Sequence, residues 1–198
     1  MRRRTILRAL LLSAAANAAF LAIVARADDA PPGAGTEISF ELQDVGGRTI
    51  RTHDLRGRWL LVFFGYTSCP DLCPTVLAQI GQALAKIGPM ASRVQPIFVS
   101  FDTQRDTPQM LQKYVLNFEE RILPLTGTED QILRSARSFG VTFFKIPGAS
   151  ANDYTFAHSS FLTLLGPEGG LVTRFSTDIA ADEMAMKLRK LIATSDGH

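Results

Sequence analysis

The chain holds two cysteines, and both stand in one short stretch, Tyr66-Thr67-Ser68-Cys69-Pro70-Asp71-Leu72-Cys73-Pro74. That stretch follows an apolar run and precedes a helical pattern. Helix N-termini favour anions, so thiolates are stabilised there. In a helix-like turn the i, i+4 spacing puts both sulfurs on one face. Pro74 suits the first helical position, which would make Cys73 the cap. Pro70 could equally open the helix, with Pro74 then distorting it. The chemistry open to such a pair is that of a redox dithiol or a soft-metal site. The bland alternative is two buried structural thiols or a stapling disulfide. A proline-flanked strand-to-helix loop suits that alternative less well than an apolar stripe would. Three residues between the cysteines depart from the C-x-x-C of common dithiol oxidoreductases.

A metal needs further ligands, and the chain has three histidines. His53 falls in a polar loop and reads as a solvated surface residue. His198 is the last residue. His158 lies in Tyr154-Thr155-Phe156-Ala157-His158-Ser159-Ser160, just ahead of an apolar run. Taken alone, it reads as a satisfied structural histidine. Beside a dithiol it completes a donor set, since two thiolates and one imidazole suit three-coordinate Cu(I), a soft ion. Structural zinc would require a fourth ligand. A peroxidase would need an activated cysteine beside an arginine, and the stretch from Tyr66 to Pro74 has none. The methionines form no clustered motif; Met90, Met110, Met184 and Met186 read as helix or helix-end packing.

The elements that must position these residues alternate between strand and helix. Ile38, Phe40 and Leu42 alternate as in a half-buried strand, and Gly46-Gly47 turns the chain into a hairpin partner over Arg48 to Arg51. Trp59 to Tyr66 is a continuous apolar run, expected of a central strand buried on both faces, and Val94 to Phe101 reads as a second buried strand. Between them Val76, Ile80, Leu84 and Ile87 fall at helical spacing, stopped by Gly88-Pro89. Thr107-Pro108 opens a second helix with Met110, Leu111, Tyr114, Val115 and Phe118 on its apolar face. Ile122 to Leu125 suits a short strand. Thr128 and Gln131 form a capping-box pattern for a helix ending near Phe139-Gly140. Gly148 to Ala157 reads as a polar loop. Phe161 to Leu165 and Leu171 to Phe175 flank a glycine-rich hairpin turn, and Asp178 suits the cap of a last helix. The order predicts a three-layer α/β domain, with parallel strands joined by helices, an antiparallel hairpin at one side of the sheet and an N-terminal β-hairpin.

Of 198 residues, 20% are charged and 46% belong to the hydrophobic class, which excludes a disordered chain. Five of the 21 basic residues lie within 1–27, where no acid stands. The remainder is therefore mildly acidic, and a nucleic-acid partner is not expected. Arg2 to Arg4 followed by an apolar run from Ala9 to Ala25 and by Ala25-Arg26-Ala27 have the plan of a secretory signal peptide, with an uncleaved membrane anchor as the rival. Either way the arginines stay cytoplasmic and the body is exported. Arg3-Arg4 also resembles a twin-arginine signal. The expected organisation is a signal or anchor over 1–27, a linker over 28–36 with Pro31-Pro32, and one domain over 37–198.

Phe63-Phe64-Gly65-Tyr66-Thr67-Ser68-Cys69-Pro70-Asp71-Leu72-Cys73-Pro74 resembles the signature of the Sco (SenC/PrrC) family. Ser100-Phe101-Asp102-Thr103-Gln104-Arg105-Asp106-Thr107-Pro108 is similar to its second motif. Leu125-Thr126-Gly127-Thr128 and Asp153-Tyr154-Thr155-Phe156-Ala157-His158-Ser159 match two further segments. The resemblance covers roughly Phe40 to Phe175. It implies a thioredoxin-like fold, copper held by Cys69, Cys73 and His158, and a role in assembling the binuclear copper centre of cytochrome c oxidase. Cu(I) is the expected state, with Cu(II) as a second. Two departures stand out: Ala157 replaces the usual acid before the ligand histidine, and Thr103 replaces the usual proline. Asp102, Arg105 and Asp106 read as loop-structuring residues, with docking as their other reading.

Two functions follow. One is a periplasmic copper metallochaperone, a binding and transfer protein rather than an enzyme, whose partner is the copper-accepting oxidase subunit. The other is a thiol–disulfide oxidoreductase, with Cys69 and Cys73 as a redox-active disulfide that keeps a target's copper-ligand cysteines reduced. His158 discriminates between them, because a reductase has no need of an imidazole near both sulfurs. Only the fold can join His158 to Cys73, eighty-five residues earlier. If the strands starting at Trp59 and Phe161 pair antiparallel, the cysteine loop and the histidine share one sheet edge.

Overall fold

The computed structural model describes residues 38–150 and 153–195. The expected signal or anchor and linker lie outside the described residues. Among those described, no helix is long and apolar enough to cross a membrane.

A central sheet has the strand order β5-β4-β3-β8-β9. Its strands are β3 (Trp59–Gly65), β4 (Val94–Ser100), β5 (Leu123–Leu125), β8 (Phe161–Leu165) and β9 (Leu171–Ser176). β3, β4 and β5 run parallel, and β8 and β9 complete the sheet as an antiparallel hairpin. Every residue of β3 is buried, because a pleated strand sends successive side chains to opposite faces and both faces are covered. Trp59, Leu61 and Phe63 enter one core; Leu60, Val62 and Phe64 enter the other.

Helices α1 (Leu72–Ile87), α2 (Pro108–Val115) and α4 (Ala181–Ser195) supply the first core through Val76, Leu77, Ile80, Leu111, Met184 and Leu188. Helix α3 (Glu129–Phe139) and the N-terminal hairpin of β1 (Glu41–Gln43) and β2 (Thr49–Arg51) supply the second, through Ile132, Phe139, Leu42 and Ile50. The expected three-layer α/β architecture is the one observed. The Thr128–Gln131 capping box and the Thr107 cap, with Pro108 at the first helical position, are both formed. Gly140 ends α3 in the left-handed conformation at φ 69°, which glycine adopts without a Cβ penalty.

The structure corrects several expectations. Met110 is exposed, and α2 ends at Val115, so Phe118 lies beyond it. Met90 and Met186 are also exposed, and Met184 is the methionine that packs. Asp178 does not cap the last helix: α4 begins three residues later, where the Ala180 carbonyl accepts the first helical bond. The expected polar loop contains strand β7 (Tyr154–His158), which pairs antiparallel with β6 (Phe143–Pro147) as a separate two-stranded hairpin. Most side chains of β6 are exposed, so its sequence carries no core-facing alternation.

Candidate functional site

The cysteine loop leaves the C-terminal end of β3. The backbone N–H of Cys69 donates to the Tyr66 carbonyl at 3.3 Å, turning the chain into α1. The helix starts at Leu72 with Asp71 as its cap residue, which settles the choice between the two prolines in favour of neither. Pro74 sits at the third helical position, where a missing N–H costs nothing because the first N–H groups lack intrahelical acceptors. Asp71 makes no side-chain capping bond. The Cys73 N–H, one of those unpaired donors, donates instead to Cys69 Sγ at 3.4 Å.

The two thiols are free and unequal. Cys69 is half-buried and Cys73 fully buried. A hydrogen bond from the Cys73 thiol, opposed by burial and joined by His158 and the Cys73 and Asp71 N–H groups, brings the Cys69 thiol down to about 3. Cys73 moves the opposite way. It keeps its proton because that proton bridges to Cys69, and because burial and the nearby charges of Cys69 and Asp106 disfavour a second thiolate. Tyr114 is an unexpected neighbour: its buried hydroxyl has no hydrogen-bond partner, and burial followed by the charges of Cys73 and Cys69 pushes the phenol up.

β3 and β8 pair antiparallel, with Phe63 opposite Leu162. The end of β3 therefore meets the start of β8, and His158 stands three residues before β8 begins. Its half-buried ring packs against Phe101 and Tyr66, with centroids 5.2 and 6.3 Å away. His158 Nδ1 lies 2.9 Å from the Ser159 carbonyl. A carbonyl only accepts, so Nδ1 carries a proton and Nε2 is the ring nitrogen left to meet Cys69. Backbone carbonyls orient metal-bound imidazoles in this way, and here one does so without the acid that Ala157 replaces. The donor set fits a soft monovalent ion. Among the described residues, however, no three His, Cys, Asp or Glu side chains close round a common metal position. The imidazole reaches Cys69 and the sulfurs hydrogen-bond to each other, so a three-ligand centre requires the donors to move inward.

His53 is an exposed partner of Asp54, at 3.2 Å, and takes no part in this site. His198 lies outside the described residues. Asp106 does more than shape its own loop. Its buried carboxylate accepts from the Thr67 N–H at 2.9 Å, Thr67 Oγ1 at 2.5 Å and Ser100 Oγ at 2.5 Å. Thr67 and Ser100 were not legible as site residues, since lone hydroxyls carry no spacing signal.

A mixed-sheet α/β domain with a dithiol at the N-terminus of its first long helix and a histidine at the same sheet edge defines a thioredoxin-like dithiol protein. A profile of the SCO1/SenC family matches residues 28–193, and the chain belongs to that family. It is 36% identical over 152 residues to the SCO2-like protein RT0576 of Rickettsia typhi, covering 76% of this chain and 75% of that one. It is 35% identical over 156 residues to the mitochondrial SCO2 homolog of Bos taurus, covering 78% of this chain and 59% of that protein's length. Among solved structures it is similar to Bradyrhizobium japonicum ScoI with copper bound, at TM-score 0.71 and 34% identity over 77% of this chain and 96% of that one. It is also similar to yeast Sco1, at TM-score 0.73 and 30% identity over 79% and 96%.

Proposed function

We propose that this protein binds copper through Cys69, Cys73 and His158 and delivers it to the copper-accepting subunit of cytochrome c oxidase. The observation that carries this reading is that His158, held through Nδ1 by the Ser159 carbonyl, reaches Cys69, a sulfur already poised as thiolate. The SCO1/SenC family comprises copper-binding proteins of cytochrome c oxidase assembly, and its Bradyrhizobium relative is described with copper bound. Copper is cargo here. Cu(I) displaces the one proton that the sulfur pair retains and takes the two thiolates and the imidazole. An acceptor thiolate then adds to the low-coordinate ion as Cys69, the more accessible ligand, leaves. Export follows the reading of residues 1–27, and places the domain in a bacterial periplasm, soluble after cleavage or anchored. Copper per chain on the reduced protein tests the site. Wild type should hold one Cu(I) against a competing chelator, and His158→Ala should hold it more weakly. Equal binding would remove His158 from the site.

The inequality of the two thiols favours a second reading, thiol–disulfide exchange. An accessible, ionised Cys69 beside a buried, protonated Cys73 is the arrangement of an attacking and a resolving cysteine. Cys69 would attack a target disulfide, and Cys73 would release the mixed disulfide, leaving the target reduced and this pair oxidised. Reduction of a disulfide in a copper-ligand peptide by copper-free protein, unaffected by His158→Ala, would favour this reading over delivery.

A further inference from the structure

The loop after β4, residues 101–107, touches both halves of the candidate centre together with Ser100 at the strand's end. Towards the cysteines, Asp106 receives three hydrogen bonds, two of them from Thr67, two residues before Cys69. Towards the histidine, the buried Asp102 accepts from Arg105 Nε at 2.5 Å and from the Tyr154 hydroxyl at 2.7 Å. Arg105 Nη1 donates to the Tyr154 carbonyl at 2.9 Å, and its guanidinium lies 3.6 Å from the Tyr154 ring centroid. Tyr154 opens β7, the strand that ends at His158. A third tie reaches β6, where Lys145 Nζ donates to Gln104 Oε1 at 3.0 Å. The loop is itself closed by Asp106 N–H to the Asp102 carbonyl at 2.9 Å and Asp102 N–H to Ser100 Oγ at 3.1 Å.

We propose that this loop is one bracket holding the two halves of the centre in register, with Asp106 positioning the cysteine loop through Thr67 and the Arg105–Asp102 pair positioning His158 through Tyr154. The bracket rests on the copper reading above for its purpose. The physical need is plain. The sheet brings β3 and β8 to one edge, but β7 belongs to a separate hairpin that pairs only with β6. Pairing in the central sheet therefore brings the imidazole to the edge that carries the cysteines but does not fix where on that edge it stands. Ligand bonds of about 2.0–2.3 Å, with zinc distances as the guide, tolerate little slack between carriers so far apart in sequence. A guanidinium can donate to a carboxylate and a carbonyl at once, which a lysine in its place cannot do with the same fork.

The test uses conservative variants of the full chain, reduced and copper-free at the start, with Cu(I) supplied from a chromophoric chelator. Arg105→Lys should weaken Cu(I) binding about tenfold, as loss of an orienting partner does. In a His158→Ala background it should weaken binding less than twofold, because it acts through His158. Thr67→Val should weaken binding by a similar factor in both backgrounds, because the cysteines remain ligands in each. Without copper, Arg105→Lys should move the His158 ring resonances, and Thr67→Val should move the amide resonances of Cys69 and Cys73. Tyr154→Phe, which removes only the bond to Asp102, replaces Arg105→Lys if that variant loses its far-ultraviolet circular dichroism. Equal losses from Arg105→Lys in both backgrounds, or an unmoved His158 ring, overturn the bracket. If His158→Ala alone binds Cu(I) like wild type, the copper reading fails, and the ring resonances then decide whether the bracket stands.

Discussion

A Cβ added to Gly65 would lie 2.7 Å from Cys73 Sγ and 2.8 Å from the Phe98 ring. Gly65 is the last residue of β3, and its missing side chain is the space in which the buried sulfur sits. Gly65→Ala must displace Cys73 or Phe98. Overpacking of this kind costs about 1–3 kcal/mol. We expect that loss in urea denaturation and a larger proportional loss of Cu(I) affinity. Wild-type stability together with wild-type copper binding would contradict this seating of the sulfur.

The Cys69 thiol is depressed to about 3, so its thiolate persists far into the acid range. An ordinary thiol, titrating near 8.5, loses alkylation rate about tenfold per pH unit below that value. Native reduced protein should instead react with iodoacetamide at a nearly constant rate from pH 8 down to pH 5, with the label on Cys69. The rate should fall only as the pH approaches the depressed value. A steep decline beginning at pH 8, or preferential labelling of Cys73, would contradict the assignment of the two thiols.

Copper and a Cys69–Cys73 disulfide require the same sulfur orbitals. Protein oxidised to the disulfide should take up little Cu(I) until a reductant restores two thiols, and Cu(I)-loaded protein should resist oxidation. Mass spectrometry of the intact chain reads both states. Full Cu(I) uptake by chains verified as disulfide-bonded would exclude a two-thiolate site.

The contact of His158 Nδ1 with the Ser159 carbonyl assigns a proton to Nδ1. Long-range nitrogen–proton spectra of the copper-free protein should show a protonated Nδ1. On Cu(I) loading the Nε2 shift should move most. An Nδ1 without a proton would contradict the contact with the Ser159 carbonyl and the orientation of the ring that rests on it.

Much of the frame was legible because local rules and tertiary packing agree along it. The run from Trp59 is buried on both faces and apolar throughout, the run from Val94 is nearly so, and the Thr128 and Thr107 caps are read from one turn of chain. The hairpin of β6 and β7 was not legible. Phe144 and Ile146 are exposed in it, and a strand whose side chains face water has no burial pattern to display. The helix start at Leu72 was ambiguous for a related reason: two prolines permit two starts, and the choice falls where Cys69 Sγ replaces a conventional cap.

Residue identity and spacing alone determined the donor types, one dithiol and one histidine worth testing, and the alternation of strands and helices that carries them. Their meeting was decided by tertiary structure. Nothing local relates His158 to Cys73; the antiparallel register of Phe63 with Leu162 does, because it folds the end of one strand onto the start of another. The inequality of the two thiols is also tertiary. The hydrogen bond between the two sulfurs is local to the motif, but which sulfur keeps the proton follows from the burial of Cys73, the charge of Asp106 and the imidazole beside Cys69, none of which a nine-residue motif contains.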